Sequence, residues 1–512
     1  MHLRLISGLV VLATLVASPA IAENGIGQIK LGVPNANPKS GTQPTRIDPD
    51  FTLRLIATRD DPFENPTGPF TFFGQLSTGT LTEPDENTYL VLDQSPTGPT
   101  PGFDYGRHFL YQGHENGSPL AYVTRINLDV PRGSPNRITL LTPGDPVTNQ
   151  TGFGSIDGST FNPFTFKLLF TQEAGASGGV FEEARAPSSL DAFLGKAGYE
   201  GIHPDSEGNI YIIEDTGGAT SHTPAINNGR QPNSFVYRYV PNNPSRIRDG
   251  GRLEALQVII DGRPLVFGGA AAVDADISST ALLKLHTLGT SYPIRWVTIH
   301  TANAGDTAGF DANAAAKTAG ATPFKRPENL AWLPGSNFST FFFDPTGDTD
   351  AVAGENAFLQ ARGAYGAIFR VGLREVGSDE GTISLFFFGD HEHNSFDNLA
   401  FANEHQLLAT EDRGDTLHTQ LNTMDSVWAF EVKAKNKSPI RFIALGRDAT
   451  SIAHGEDNEP TGLFVSNGSA DPKHLLGTAE SLEHARGFFT QQHGDNNLYE
   501  ILPITGPVAM RN

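Results

Sequence analysis

The sequence predicts an all-β protein with a β-propeller architecture. Its 512 residues include 55 glycines, 35 prolines and 34 phenylalanines, and its short apolar runs are bounded by turn-forming residues, a pattern typical of many short strands. A second observation is an acidic unit that occurs in residues 200–217 and again in 397–414. Recurrence of one unit at long spacing indicates a repeat architecture, and a propeller repeats a four-stranded blade around a central channel.

The repeated unit places its acids at fixed positions. Glu200 and Asp397 open the two copies, carboxylates recur at offsets 7, 14 and 15, and glycine follows at offset 17. A third segment, Glu328-Asn-Leu-Ala-Trp, begins like Asp397-Asn-Leu-Ala-Phe. Each leading acid precedes two apolar strands, so we predict half a blade with that acid facing the channel. Asp215 and Asp412 precede an x-Gly pair and are interpreted as turn acids.

Several strands and helices can be predicted from local pattern alone. Apolar runs between Gly, Pro, Asn and Asp predict strands at 210–213, 341–343, 383–388, 407–410, 427–432 and 462–465. Helical periodicity is limited to 189–196, 311–319 and 475–486. The Ala- and Gly-rich segment 269–325 interrupts the repeat and is predicted to be an insertion with a strand at 294–299.

The N-terminal segment has the layout of a secretory signal peptide. Residues 1–22 contain Arg4, an apolar run over 5–17 and a small-residue cleavage site. The run is shorter than the roughly 20 residues of a spanning helix. We therefore expect an exported protein, periplasmic or secreted and without a membrane anchor, with a polar lead-in over 23–50 and one propeller domain over 51–512. A monomer is expected.

Composition excludes several classes of function. The chain has 57 acidic and 36 basic residues, a net charge of −21, which disfavours nucleic acid or an anionic membrane as a partner. Cysteine is absent, so neither a disulfide nor a thiolate nucleophile or ligand is available. Covalent catalysis by serine also lacks support, because no Gly-x-Ser-x-Gly motif occurs.

Arg326-Pro327-Glu328 is the sharpest short motif. Residues two apart in an extended segment face the same way, so both charged side chains can enter one cavity. A guanidinium is a two-point partner for phosphate, and a carboxylate is a ligand for hard cations. The alternative is a structural ion pair at the start of a strand.

Further acids occur in comparable positions after or before apolar strands. They are Glu115, Asp157, Glu173 and Glu459. Each alone is explained by an exposed turn, but together they place a carboxylate in nearly every predicted blade. A buried ring of like charges requires cations, so we hypothesise a site for several metal ions. In contrast, His391 and His393 lie in a polar segment and are interpreted as exposed loop residues.

The motifs together resemble the PhoX-type alkaline phosphatases. The matching segments, in chain order, are Tyr111-Gln-Gly-His-Glu115-Asn, Glu200-Gly-Ile-His, Tyr211-Ile-Ile-Glu-Asp215, Phe235-Val-Tyr-Arg-Tyr-Val-Pro241, Gly250-Gly-Arg-Leu-Glu-Ala-Leu256, Arg326-Pro-Glu328, Asp397-Asn-Leu-Ala-Phe, Ala409-Thr-Glu-Asp412 and Glu459-Pro-Thr-Gly-Leu-Phe-Val465. The resemblance implies a six-bladed propeller that holds calcium and iron in its channel and hydrolyses phosphate esters outside the cytoplasm.

The resemblance also implies roles for individual residues. Arg326 resembles the arginine that orients phosphate, and the predicted metal ligands are Glu115, Glu173, Glu200, Glu328, Asp397 and Glu459. Asp157 stands about where the family has an iron-binding cysteine. An oxygen ligand in place of sulfur favours calcium, magnesium or manganese at this site and disfavours iron.

Three functions remain open at this stage. The first is a metal-dependent phosphoesterase for small phosphate esters. The second is a calcium-stabilised propeller that binds a ligand without catalysis. The third is a propeller hydrolase for lactones or phosphotriesters with one channel calcium and a smaller set of carboxylates.

Overall fold

The computed structural model describes residues 24–182, 188–433 and 438–504, and the predicted signal peptide, residues 1–22, lies outside them. Helices in the described ranges are short: α1 Asp191–Leu194, α2 Val273–Ile277, α3 Thr280–Leu285, α4 Ala312–Thr318, α5 Ala351–Glu355, α6 Ala357–Gln360, α7 Gly414–Leu421 and α8 Ala449–His454. None of the helices in these ranges is long and apolar enough to cross a membrane. The protein is built mainly from strands.

The strands, numbered in chain order, are β1 Arg46–Ile47, β2 Phe51–Ala57, β3 Pro62–Thr67, β4 Phe70–Phe72, β5 Glu83–Val91, β6 His108–Glu115, β7 Tyr122–Asn127, β8 Ile138–Leu140, β9 Ile156–Asn162, β10 Lys167–Gln172, β11 Val180–Glu182, β12 Tyr199–Pro204, β13 Ile210–Glu214, β14 Val236–Pro241, β15 Gly250–Ile260, β16 Arg263–Pro264, β17 Tyr292–Asn303, β18 Pro327–Trp332, β19 Thr340–Pro345, β20 Ala367–Leu373, β21 Glu380–Phe388, β22 Phe396–Asn403, β23 Gln406–Glu411, β24 Ser426–Glu431, β25 Ile440–Ala444, β26 Glu459–Ser466, β27 Arg486–Gln492 and β28 Asn497–Pro503.

Antiparallel sheets of consecutive strands are arranged like the blades of a propeller. The sheet orders are β5-β6-β7-β8, β9-β10-β11, β1-β25-β24-β23-β22 and β2-β28-β27-β26, and β3 pairs with β4. The units β12–β15 and β18–β21 are joined through β17, which pairs with both β15 and β21. The first strands contact one another in a closed cycle, β5–β9–β12–β18–β22–β26 and back to β5. These strands therefore surround a common axis, as in a propeller.

The ring closes without disulfides, since the chain has no cysteine. Strand β2, near the N-terminus, pairs along its length with β28, near the C-terminus. Backbone hydrogen bonds between the two chain ends thus complete the last sheet, and the large apolar core supplies further stabilisation. Part of the lead-in packs on this core as well, because Ile26 and Ile29 are buried among side chains of β22 and β23.

The local predictions can be compared with these elements. All the predicted strands are confirmed, including the one at 294–299, which is the central part of β17. Two predicted helices are confirmed as α1 and α4. The helix predicted at 475–486 is wrong, because only short 3-10 turns flank and enter this segment. Gly477 explains the difference: its φ is +116°, and a Cβ there would lie 2.7 Å from the Phe338 ring.

Every first strand of the ring contains a β-bulge near its beginning, with one extra residue there relative to its partner. The register shifts lie at 84–87 in β5, 156–159 in β9, 199–202 in β12, 327–330 in β18, 396–399 in β22 and 461–464 in β26. A β-bulge redirects the side chains beside it and is frequent next to active sites. Because strict alternation is broken, neighbouring polar residues in these strands can both face the interior.

A buried arginine connects the two units of the joined sheet, and its removal should be costly. Arg238 is fully buried, donates to Glu254 at 2.8 Å and 2.5 Å, and contacts Asp379 at 2.5 Å. Its guanidinium also lies 4.8 Å from the centre of the Trp296 ring. Replacing one member of a buried ion pair leaves the other without compensation.

We expect Arg238→Ala to reduce the free energy of unfolding by about 3–5 kcal/mol. Denaturant unfolding followed by tryptophan fluorescence measures this effect. The exposed Arg263 provides a matched control, since Arg263→Ala should change stability by less than about 0.5 kcal/mol. Equal unfolding midpoints for the two variants would contradict the expectation.

Candidate metal centre and active site

The bulges of the first strands and the ends of the second strands bring acidic side chains to one end of the channel. Asp85, Asp157, Glu200, Glu328 and Asp397 all lie in bulge segments. The remaining acids lie at strand ends: Glu115 ends β6, Glu173 follows β10, Asp215 follows β13 and Glu459 begins β26. Residues far apart in sequence therefore converge through the repeat of one blade pattern.

Seven carboxylates form three overlapping groups in which the oxygens lie within 4.8 Å of one another. The groups are Asp85–Glu115–Asp157, Asp157–Glu173–Glu200 and Glu200–Asp215–Glu328. Shared members link the three groups into one continuous cluster, which we call the channel cluster. Clusters of carboxylate oxygens are the donor set that calcium and other hard cations prefer.

Three of the bulge acids follow a residue with left-handed backbone geometry. Ser155, Arg326 and Ser395 have φ values of 38°, 53° and 52°, and each stands two positions before its acid. Such angles are unfavourable for residues other than glycine, and strained backbone is concentrated at functional sites. The turn directs the acid into the channel and, at Arg326, directs the guanidinium there as well.

Arg326 lies at the end of the channel cluster. Its Nη2 and Nε are 2.7 Å and 2.8 Å from Asp215 Oδ2, and Nη2 is 3.5 Å from Glu328 Oε1. The Nη1 group makes no hydrogen bond or ion pair with any residue that the structure describes. The carboxylate of Asp215 thus holds the guanidinium plane, while one edge remains available to a ligand.

Bound cations would stabilise the channel cluster electrostatically. Burial, followed by repulsion from neighbouring acids, raises the pKa of Asp85, Glu115, Asp157 and Glu200 well above the ordinary range. Burial together with the charge of Asp215 raises the pKa of Glu173 to about 8. Arg326 is the only cation that contacts the described members of the cluster.

The donor atoms fit bound cations. Asp85 Oδ1 and Asp215 Oδ1 are buried and have no hydrogen-bond partner among the described residues. A buried carboxylate oxygen without a partner carries the full cost of its desolvation, which a metal ion would offset. The residues present therefore suit oxygen-ligated ions, and no sulfur ligand is available.

Two predicted ligands lie beside the three groups rather than within them. Asp397 accepts a hydrogen bond from Asn398 at 2.8 Å, and Glu459 lies 3.8 Å from His493. Burial and the charges of Asp85 and Asp412 raise the pKa of both carboxyls well above the ordinary range. They therefore share the electrostatic environment of the channel cluster. The other predicted residues, Glu115, Asp157, Glu173, Glu200 and Glu328, are brought together in it.

The sequence interpretation did not predict Asp85 or Asp215 as members of the site, and it took Asp215 for a turn acid. Asp215 is no exposed turn residue: it is buried, and its carboxylate binds Arg326. Asp412 does behave as a turn acid, since it accepts from the Gly414 amide at 3.1 Å. Asp85 was not recognised, although Pro84-Asp85 matches Pro327-Glu328, with each proline opening the bulge of its strand. This proline–acid pair was the signal available in the sequence.

The His-x-His segment is separate from these acids. His391 and Glu392 are exposed. His393 lies on Trp428, with ring centres 4.2 Å apart, and its Nδ1 is 2.9 Å from Asp390. The segment lies between β21 and β22, outside both strands, which agrees with its interpretation as a loop.

A second group of acidic residues lies next to basic side chains of the protein. Asp415, His418 and Asp457 also lie close together, but Asp457 pairs with Arg447 at 2.6 Å and with Lys39. His418 Nε2 is 2.8 Å from Asp425 Oδ2. Basic side chains thus pair with Asp457 and Asp425, so we interpret this group as an internal ion-pair network rather than a metal site.

This network predicts a pH-dependent stability. Burial alone disfavours the imidazolium, but Asp425 and Asp457 raise the pKa of His418 to about 9. Since the folded pKa exceeds the unfolded value, the stabilisation is complete below about pH 6.5 and is lost as the pH rises through about 9. We expect His418→Gln to cost on the order of 3 kcal/mol at pH 6 and much less at pH 10. Denaturation of both proteins at these pH values tests this, and a pH-independent difference would contradict it.

A cleft of about 370 Å³ opens beside the channel cluster. Its lining combines three arginines with several hydroxyl and carboxylate side chains: Thr220, Asn228, Arg230, Arg326, Asp348, Thr349, Asp350, Asp412, Arg413, Asp415 and Thr416. Arg326 is therefore accessible from the cleft, where a small molecule can approach its open edge.

A family model described as alkaline phosphatase PhoX matches residues 200–467, more than half of the chain. The protein belongs to the PhoX family. The match includes Arg326, Glu200, Glu328, Asp397 and Glu459, whereas Glu115, Asp157 and Glu173 lie before it. No curated protein sequence matches the chain significantly.

Structural comparison agrees with the PhoX assignment. The structure described as Pseudomonas fluorescens PhoX in complex with vanadate, a transition state analogue, is 13% identical with a TM-score of 0.54, covering 94% of this chain and 99% of that one. This likeness shows the PhoX fold. The WD40 domain of Toxoplasma gondii coronin is more distant, at 8% identity and a TM-score of 0.35 over 93% of this chain and 91% of that chain.

Proposed function

We propose that the protein is a metal-dependent phosphoesterase that hydrolyses small phosphate esters at a site for several metal ions in the channel. The observation that carries the proposal is the channel cluster, in which seven carboxylates approach one another and a single arginine presents an open edge. Membership of a family of alkaline phosphatases supplies the reaction class. A hydrolase for lactones or phosphotriesters with one channel calcium would need fewer carboxylates than the seven of the cluster, so this alternative is disfavoured.

We further propose that the propeller has six blades. The joined ten-stranded sheet divides into the units β12–β15 and β18–β21, with β17 as a connecting strand. These two units and the four other sheets that contribute a first strand make six, in agreement with the closed cycle of first strands. The small β3–β4 hairpin lies outside this count.

In the proposed site the carboxylates hold the ions and the arginine orients the substrate. The predicted ligands are Glu115, Asp157, Glu173, Glu200, Glu328, Asp397 and Glu459, to which geometry adds Asp85 and Asp215. When bound, such ions neutralise charge on a phosphoryl group and make water a stronger nucleophile. Calcium suits this donor set, and Asp157 in place of a cysteine makes iron the weaker candidate.

Arg326 has a geometry suited to phosphate. Asp215 occupies Nε and Nη2 and so fixes the guanidinium plane, and Nη1 points to no described partner. A preorganised donor contributes most where negative charge develops in the transition state. We propose that Nη1 and the outer face of Nη2 hold nonbridging phosphate oxygens as the ester bond breaks.

We propose that the enzyme is exported and that it is a monomer. Export agrees with the signal-like leader and with a family known as exported. Lack of cysteine is compatible with an oxidising compartment. The substrate partner is a small-molecule phosphate ester, with neither nucleic acid nor membrane involved.

Hydrolysis of p-nitrophenyl phosphate by the purified protein supplied with Ca²⁺, Mn²⁺ or Fe³⁺ tests the proposal. We expect metal-dependent release of nitrophenolate, and loss of at least about a hundredfold in kcat in Glu328→Ala. Glu483 is exposed and outside the channel cluster, so Glu483→Ala is the matched control.

Two outcomes would change the assignment. Equal activity of Glu328→Ala and Glu483→Ala would refute the placement of the site. Metal retention with thermal stabilisation, but no turnover of any phosphate ester, would support the alternative, a calcium-stabilised propeller that binds a ligand without catalysis.

A further inference from the structure

A second arginine lines the cleft beside Arg326 and has no use in the proposed chemistry. Arg230 is half-buried, and its guanidinium forms no hydrogen bond or ion pair within the described ranges 24–182, 188–433 and 438–504. Most other buried or half-buried arginines near it are paired, for example Arg413 with Glu411 at 2.7 Å. An unpaired guanidinium in a cleft is a binding group for an anion.

The backbone holds Arg230 next to the phosphate-orienting arginine. Its amide donates to Asp348 Oδ1 at 3.1 Å, and the same oxygen accepts from Lys325 Nζ at 2.7 Å. Lys325 directly precedes Arg326 in the chain. The position of Arg230 is thus tied to the segment that carries Arg326.

The guanidinium end of Arg230 is also located. It lies against Gly217, since a Cβ on that residue would be 3.3 Å from Arg230 Nη1. Gly217 follows Asp215, the ion-pair partner of Arg326, by two residues. The backbone amide and the guanidinium of Arg230 therefore both lie next to segments that form the Arg326 site, and both arginines line the same cleft.

No described carboxylate of the cleft forms an ion pair or hydrogen bond with the Arg230 guanidinium, although Arg230 and Asp348 interact electrostatically. The carboxylate oxygens of the cleft have other hydrogen-bond partners. Asp348 pairs with Lys325, and Asp350 accepts from Asn228 at 3.1 Å. Asp412 accepts from the Gly414 amide, and Asp415 accepts from the Asp457 amide at 2.8 Å. The described side chains thus leave the Arg230 guanidinium available to a ligand.

We propose that Arg230 is a specificity-determining residue that binds a second anionic group, on the leaving-group side of the phosphate ester. This inference rests on the proposed function. Arg326 holds the phosphate that is transferred, and Arg230 binds a carboxylate or further phosphate carried by the alcohol. The preferred substrates are therefore phosphomonoesters whose leaving group is itself negatively charged.

Two nearly isosteric esters test this assignment, 3-carboxyphenyl phosphate and 3-carbamoylphenyl phosphate. They differ in the charge of the leaving group, so the ratio of their kcat/KM values reports recognition of that charge and is insensitive to the fraction of folded enzyme. We expect the intact protein to prefer the carboxyl ester, and Arg230→Gln to reduce this preference about tenfold, as expected for one charge-assisted hydrogen bond. Arg230→Lys should restore part of the preference. The exposed Arg263 supplies the control variant Arg263→Gln, which should leave the preference unchanged.

The outcomes separate this inference from the function on which it rests. Hydrolysis of both esters with the same preference in the intact protein and in Arg230→Gln overturns the role of Arg230 and leaves the phosphoesterase assignment intact. Equal losses on both esters in Arg230→Gln also overturn it, since the residue would then act on the transferred phosphate or on folding. Failure of the intact protein to hydrolyse either ester overturns the proposed function and this inference with it.

Discussion

Removal of bound metal ions with a chelator is expected to abolish phosphate ester hydrolysis and to lower the melting temperature by on the order of 10 °C. The physical reason is the channel cluster, in which the carboxylates of each group lie within 4.8 Å of one another and only Asp215 and Glu328 contact the described arginine, Arg326. Without cations these buried acids must repel one another or take up protons, and both cost free energy. Differential scanning calorimetry before and after dialysis against a chelator measures the shift, and added Ca²⁺ should reverse it.

Elemental analysis of protein purified without chelators complements this measurement. With Asp157 in place of a thiolate, calcium should exceed iron in the purified protein. Glu328→Gln removes one charge from the cluster, so its melting temperature should respond less to the chelator than that of the control Glu483→Gln. A protein that retains no metal and melts at the same temperature with and without chelator would rule out the proposed metal centre.

Substitution of Arg326 by alanine is expected to reduce kcat/KM for p-nitrophenyl phosphate about a thousandfold. Its guanidinium is fixed by Asp215 at 2.7 Å and presents an open edge to the cleft, so it can stabilise charge on the phosphoryl oxygens at little cost in ordering. A lysine ammonium group carries the same charge but lacks the planar arrangement of two N–H donors that a guanidinium offers to phosphate. Arg326→Lys should therefore recover only part of the lost activity.

Arg326→Ala also leaves Asp215 and Glu328 without their basic partner, so its melting temperature should be measured beside the kinetics. A large loss of kcat/KM with a metal content equal to that of the unsubstituted protein indicates a role in orienting phosphate. If Arg326→Ala keeps its metal and its full kcat/KM, Arg326 is a structural ion-pair residue, the alternative that its sequence left open.

Acids at equivalent positions of the repeated unit differ in how well the sequence predicts their environment. Its leading acids, Glu200 and Asp397, both lie in the bulges of first strands, where the strand order predicts side chains that face the channel. The acids at offset 14 have a different environment: Glu214 accepts from the Phe235 amide at 3.1 Å, just before β14, and Glu411 accepts from the Ser426 amide at 2.9 Å, at the start of β24. Identical spacing in sequence therefore covers both channel-facing and structural carboxylates.

The two acids at offset 15 differ even from each other. Asp215 binds Arg326, whereas Asp412 accepts from the amide of its own turn. Their local sequences, Glu-Asp-Thr-Gly and Glu-Asp-Arg-Gly, are nearly the same. The blade of Arg326 lies between the blades of these two acids, and the Arg326 guanidinium contacts Asp215 but not Asp412. The local sequence carries no information on this contact between blades.

The sequence by itself determined the all-β propeller, the strands and the leading acids, because these depend on apolar periodicity, turn residues and a repeat that are local in the chain. Only the tertiary structure decided which acids meet. Asp85 joins the channel cluster because a bulge in β5 breaks the alternation of side chains, and Asp215 joins it because its blade lies beside that of Arg326. Bulges and blade packing arise from pairing between distant strands, so the composition of the site depends on contacts that no single segment encodes.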